Sequence, residues 1–220
     1  MVKKMSAPKL IDTQTLATTA TPNTGSAYIA IKRLFDLSLI VAFLPIIIPV
    51  MLITAILIKI ESNDPILFWQ KRVGKGGKIF NIVKFRSMTT DSEQHGSQFA
   101  EAGDARVTKL GRFIRKMRID ELPQLWNILR GEMSLIGPRP EQVVFVEEFE
   151  KTILNYNSRH AVLPGITGLA QIEQGYVDDA NGTRTKLKYD LYYIDNISFL
   201  MDMRIVFQTL YTMGTGFGAR

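Results

Sequence analysis

Residues 117–129 read Met-Arg-Ile-Asp-Glu-Leu-Pro-Gln-Leu-Trp-Asn-Ile-Leu, and they hold the side chains best suited to do chemistry, the adjacent carboxylates Asp120 and Glu121. The run predicts a helix beginning at Asp120, with Pro123 tolerated in its first turn. Capping is the ordinary use of an acid there, since free backbone N–H groups favour negative charge. The same positive end also favours a phosphoryl group carried on the acid. Asp is a nucleophile toward phosphorus, and Asp with Glu offers hard oxygens to one Mg²⁺. Gly137-Pro138-Arg139-Pro140 follows closely, and its two prolines hold Arg139 in few orientations. A guanidinium so restricted suits a phosphate, although a rigid turn with a solvated Arg has the same spelling. Lys84 and Arg115 add positive charge that can serve the same anion or lie on the surface.

These residues need a scaffold that sets them at a definite depth. Leu37 to Ile58 is 22 residues without a charge. As a helix it measures about 33 Å, close to the roughly 30 Å of a bilayer's hydrocarbon. Pro45 and Pro49 lie near its middle and predict a bend. Lys32-Arg33 precede it and Lys59 follows, so the positive-inside tendency draws both ends to the cytoplasm. Both features predict a re-entrant, Pro-broken membrane helix over 27–60; a Pro-kinked anchor is the alternative. Asp36 at its edge is expected to snorkel or to pair with Arg33.

Strand-like runs at 66–70 and 78–85 around a Gly-rich turn predict a β-hairpin. The turn's Gly-Lys-Gly-Gly-Lys lacks the spacing and the following Ser or Thr of a phosphate loop. Val107, Leu110, Ile114 and Met117 recur at helical steps among basic residues, predicting an amphipathic helix for a membrane interface or an ordinary core. Further helices are expected at about 142–156 and 198–213, with a turn at 164–168 between them. The fold class is mainly α with a small β-hairpin. A tail at 1–26 is read as flexible, and 61–220 as one cytoplasmic catalytic region.

Composition narrows the partners. The 220 residues carry a net charge of +6 and are 46% apolar, which excludes a wholly disordered chain. No cysteine is present, so thiolate metal sites and a cysteine nucleophile are excluded. Residues 66–118 hold 12 Lys and Arg against 4 Asp and Glu. This charge, set just after the apolar segment, points to lipid head groups and phosphorylated substrates rather than to nucleic acid. His95 and His160 are too few for a histidine metal site.

The runs KFRSM (84–88), IDELPQLWNILRGEMSLIGPRP (119–140), RHAVLPGITGLAQI (159–172) and YDLYYIDNISFLMDMRI (189–205) together resemble the bacterial sugar transferases, the monotopic phosphoglycosyl transferases. The resemblance spans roughly residues 30–213. It implies transfer of a sugar 1-phosphate from a nucleoside diphosphate sugar, usually a UDP-sugar, to polyprenyl phosphate. The expected location is the cytoplasmic face of the bacterial inner membrane, as the first membrane step of a surface glycan such as exopolysaccharide, capsule or O-antigen. Carried over onto this chain, it implies Asp120 as nucleophile, Glu121 assisting metal and phosphate, Mg²⁺ on both, and Lys84, Arg115 and Arg139 as phosphate-binding cations. Many members have Asn-Gly-Arg where this chain has Gln171-Ile172-Glu173-Gln174-Gly175, which bears on sugar or uridine contacts. Larger relatives carry extra helices and a soluble domain before the catalytic unit. The rival from another class is a non-catalytic membrane-anchored module that binds anionic lipid or protein through its basic face.

Overall fold

The computed structural model describes residues 25–90, 104–174 and 180–215. The expected tail, except its last two residues, lies outside these ranges, as do His95 and Gly175. The chain is mostly helical with two small sheets. A 36-residue helix, α1 (Ser26–Glu61), is long and apolar enough to cross a membrane. Pro45 and Pro49 both lie inside it, and every residue between them is helical.

The expected hairpin is present as β1 (Leu67–Val73) and β2 (Ile79–Phe85), antiparallel with Leu67 opposite Phe85 and Val73 opposite Ile79. Its turn needs glycine at Gly76 and Gly77, whose φ values are 65° and 76°. The short helix α2 (Lys109–Lys116) is capped by Thr108, whose Oγ1 accepts from the Gly111 N–H at 2.8 Å. Only part of its expected apolar face turns inward: Leu110 and Ile114 pack in the core, while Met117 is half exposed, as is Phe113.

Three expectations need correction. Asp120 does not start an α-helix. Ile119–Gln124 is a 3-10 turn, entered through Arg118 in the left-handed region (φ 58°), and only then comes the five-residue α3 (Leu125–Leu129). The segment closes through i to i−3 bonds, such as Glu121 N–H to Arg118 O at 3.3 Å. Residues 165–167 are not merely a turn, because β4 (Gly165–Thr167) pairs in parallel with β3 (Ser134–Ile136). Asp36 neither snorkels nor pairs with Arg33. It is buried and accepts from Ser134 Oγ at 2.6 Å and the Leu135 N–H at 3.4 Å, while Arg33 donates to the Leu129 carbonyl.

The remaining helices are α4 (Val143–Thr152), α5 (Leu169–Glu173), α6 (Ala180–Asp195) and α7 (Phe199–Thr215). The sequence reading had no helix at α6. Its Leu187, Leu191 and Ile194 join the main core with Ile136, Val146 and Ile205. Two smaller cores tie α1 to this body, Ile40 with Phe80, Ile82 and Ile128, and Ile58 with Phe85 and Ile114. Thus both halves of α1 are anchored on one body. Between the anchors Val41, Phe43, Ile46, Leu52 and Ile53 are exposed.

Candidate functional site

The 3-10 turn brings Asp120 and Glu121 against the end of β2 and the loop after β3. Both carboxylates are buried, with 8% and 6% of their residue surface exposed. Glu121 Oε1 accepts from Arg139 Nη2 at 2.9 Å, with Lys84 Nζ at 3.6 Å and Arg118 Nη1 at 3.8 Å. The fold therefore gathers Lys84, Glu121 and Arg139. Among the described residues the Asp120 carboxylate has no hydrogen-bond or ion-pair partner. Arg115, on the last turn of α2, makes no direct contact with either acid there, but its charge acts on Asp120.

This placement divides the two acids. Burial pushes the Glu121 carboxyl up, but Arg139, Lys84 and Arg118 outweigh it and leave the group at about 2. Burial raises Asp120, the Glu121 charge raises it further, and Lys84, Arg115 and Arg139 only partly oppose them. A helix terminus therefore does not hold Asp120 ionised as the sequence suggested; nearby cations favour its charged form without overcoming desolvation and the Glu121 charge. Burial lowers Lys84 to about 8 even with Glu121 beside it.

The loop Gly137–Glu141 is built to hold one shape. A Cβ at Gly137 would stand 2.4 Å from Leu163 O, and one at Gly168 would stand 2.2 Å from Gly137 O, so the strands approach at glycine distance. The donor set fits Mg²⁺, which takes one or two carboxylates and fills its remaining positions with water and substrate phosphate. Asp120 has no hydrogen-bond or ion-pair partner among the described residues, and the closest cation contacts to Glu121 there all fall on Oε1. No cluster of three or more acidic or histidine side chains suited to a metal exists among the described residues, so the other ligands would come from substrate and water.

Two participants escaped the sequence reading. Arg118 sits three residues before Glu121, a spacing that offered a signal. Arg159 had none, because its contacts arise only from tertiary folding. Its guanidinium donates to the Arg139 carbonyl and to Asp190. His160, given no role, is buried near Arg159 and lowered to about 4, first by burial and then by that Arg.

Comparison with known proteins places this arrangement among relatives. A family model described as bacterial sugar transferase matches residues 27–216. A UDP-N-acetylgalactosamine-undecaprenyl-phosphate N-acetylgalactosaminephosphotransferase of Aeromonas hydrophila is 56% identical over 193 residues, covering 88% of this chain and 46% of that protein. The exopolysaccharide production protein PSS of Rhizobium leguminosarum bv. phaseoli is 40% identical over 198 residues, covering 86% of this chain and 99% of that protein. A UDP-glucose:undecaprenyl-phosphate glucose-1-phosphate transferase of Klebsiella pneumoniae is 41% identical over 182 residues, covering 82% of this chain and 39% of that protein. The chain thus spans under half the length of the Aeromonas and Klebsiella proteins and nearly all of the Rhizobium one.

Proposed function

The chain belongs to the bacterial sugar transferase family, and from that premise we propose that it transfers a sugar 1-phosphate from a UDP-sugar to polyprenyl phosphate with release of UMP. The observation that carries this reading is the asymmetric acid pair: an ionised Glu121 gripped by three cations beside a buried Asp120 that has no hydrogen-bond or ion-pair partner among the described residues. Three cations against two acids leave a positive surplus for a diphosphate to meet.

In the mechanism, a carboxylate oxygen of Asp120 attacks the sugar-bearing phosphorus, and the bond from that phosphorus to the bridging oxygen breaks. UMP leaves with that oxygen and its electron pair, and an aspartyl phosphosugar remains. A phosphate oxygen of polyprenyl phosphate then attacks the same phosphorus, freeing the Asp120 carboxylate and forming a polyprenyl diphosphate sugar. Arg139 and Lys84 stabilise charge on the phosphoryl oxygens, Arg115 adds to the field, and Glu121 keeps these cations at the reacting centre. Mg²⁺, held by Asp120 and Glu121, supplies further neutralisation of phosphate charge when bound.

The membrane reading is monotopic: α1 enters and leaves by the cytoplasmic face of the inner membrane, with its bend at Pro45 and Pro49. Its support is that Ile40 and Ile58, on either side of the prolines, are both buried against the same body while Val41, Phe43, Ile46, Leu52 and Ile53 between them are exposed. Exposed Phe199, Leu200, Phe207 and Leu210 on α7 extend the apolar surface, and Phe199 meets Phe35 of α1 edge to face at 6.2 Å. A lipid carrier thus reaches the site from the bilayer while the nucleotide sugar arrives from water.

Incubating membranes that hold the full chain with several UDP-sugars and undecaprenyl phosphate tests the reaction. Release of UMP with one of them is expected. Release of UDP would instead mark transfer of the sugar without its phosphate, and no turnover would leave a binding module.

A further inference from the structure

Every backbone carbonyl from residue 138 to residue 141 is held by a donor outside the loop, two of them on β1, one on β4 and one on the 3-10 turn Tyr156–Ala161. Pro138 O accepts from the Gly165 N–H at 2.9 Å, Arg139 O from Arg159 Nη2 at 2.9 Å, Pro140 O from Arg72 Nη1 at 3.1 Å, and Glu141 O from the Val73 N–H at 3.0 Å. Two of these donors are backbone, and Arg72 is partly exposed. Arg159 differs: only 2% of its side chain is exposed, deep in the body.

A buried guanidinium is costly unless its donors are satisfied. Arg159 meets that condition through a fixed fork. Nε and Nη2 both donate to Asp190 Oδ2, at 2.9 and 2.7 Å, and Nη1 donates to Tyr156 Oη at 3.1 Å. Asp190 is itself 2% exposed and lies on α6, while Tyr156 belongs to the 3-10 turn Tyr156–Ala161 and packs in the main core. The remaining reach of Nη2 ends on the carbonyl of Arg139, whose own guanidinium holds Glu121. The line from Asp190 through Arg159 and the Arg139 backbone to Glu121 is continuous at hydrogen-bond distance.

We propose that Arg159, anchored by Asp190 and Tyr156, is a positioning residue that sets where the Arg139 guanidinium stands over the carboxylate pair. Pro138 and Pro140 limit the local torsions of the loop, but they do not orient it relative to the body. Arg159 ties it to α6 from inside. Lysine cannot replace it, because one ammonium cannot present the planar fork that meets Asp190, Tyr156 and the carbonyl together. The inference rests on the proposed reaction for its kinetic consequence, but the position of Arg139 can be read without turnover.

The test uses the full chain in membranes or nanodiscs. Arg159→Gln is expected to lower kcat/KM roughly 100-fold, the scale of a misplaced catalytic group, after normalising to active sites counted by the UMP burst. Arg139→Gln combined with Arg159→Gln should lose no more than Arg139→Gln alone, because both act through one guanidinium. Multiplicative losses would overturn the proposal. In parallel, the rate at which phenylglyoxal modifies Arg139, located by peptide mass, should rise severalfold in Arg159→Lys and in Tyr156→Phe, which spares the buried ion pair. Unchanged labelling in folded Tyr156→Phe and Arg159→Lys protein would overturn it as well. If the wild type releases UMP from no UDP-sugar, the reaction assignment falls, and the labelling still decides the role of Arg159.

Discussion

Among the buried acids of the described residues, Asp36 with Asp202 and Asp120 with Glu121 are satisfied in opposite ways. At the base of α1, Asp202 accepts from Tyr28 Oη and Lys32 Nζ, each at 2.9 Å, and from Tyr193 Oη at 2.8 Å, while Asp36 accepts from Ser134 and Leu135. Most donors there are neutral and one cation serves two acids. Around Asp120 and Glu121 the donors are long cations that outnumber the acids, and they converge on Glu121. The first arrangement fastens α1 to β3, α6 and α7 and leaves no surplus charge to recruit an anion. The second leaves Asp120 without a hydrogen-bond or ion-pair partner among the described residues, and the surroundings positive. A structural lock uses up its donors internally, whereas a site for phosphate keeps charge in reserve.

The sharpest way to break this contrast is at Asp120. Asp120→Asn preserves size and removes nothing that caps or pairs in the fold, so folded protein should persist while turnover falls by about 10⁴-fold or more. Wild-type protein given UDP-sugar without lipid acceptor should release UMP only to about one equivalent per site, with a sugar-phosphate adduct on Asp120 by mass spectrometry. Near wild-type turnover in folded Asp120→Asn would show that the nucleophile lies elsewhere. Glu121→Gln removes the charge that gathers Arg139 and Lys84, and it should cost about 10²- to 10³-fold in kcat/KM.

At the other pair, substitution should act on stability instead. Asp202→Asn weakens charge-assisted bonds to Lys32 and two tyrosines and is expected to destabilise by about 2–3 kcal/mol in denaturant or thermal unfolding. Turnover per folded molecule should hold. A loss confined to turnover, with unfolding unchanged, would erase the distinction between lock and site.

The pH profile sharpens the comparison further. Because Asp120 is raised, the acid limb of kcat/KM should lie above the ordinary aspartate value of about 3.9. Lys84 stands at about 8 and loses its charge as pH rises through that value, so activity should decline there. In Lys84→Arg the cation persists, and the alkaline decline should move up by about 4 pH units or more, the gap to guanidinium. An unmoved limb would assign it to another group. The smallest expected change is in Pro45→Ala with Pro49→Ala, which restores two backbone donors and should relax the bend proposed for α1. Cysteine-accessibility labelling at the two ends of α1 is clean because the chain has no native cysteine. It should report the cytoplasmic side for both ends in the native chain, with exposure of one end shifting to the far side in the double variant.

Local pattern was enough for several features. The uncharged run Leu37–Ile58 and the hairpin around its glycine turn follow from residue type and short-range spacing, and family resemblance named Lys84, Arg139 and the acid pair as residues of one site. Helix α6 was less legible, since its polar Asn181–Lys186 start masks the period of Leu187, Leu191 and Ile194. Folding alone decided the rest. Ser134 reaches Asp36 across 98 positions, Arg159 reaches Arg139 across 20, and Glu121 meets Arg139 across 18. The division between a depressed Glu121 and a raised Asp120 comes from burial and from the directions in which cations approach, quantities set in three dimensions. Neighbouring residues share a composition, so sequence names the participants, but the dielectric around a carboxylate and the cation that faces it depend on which distant segments close over it.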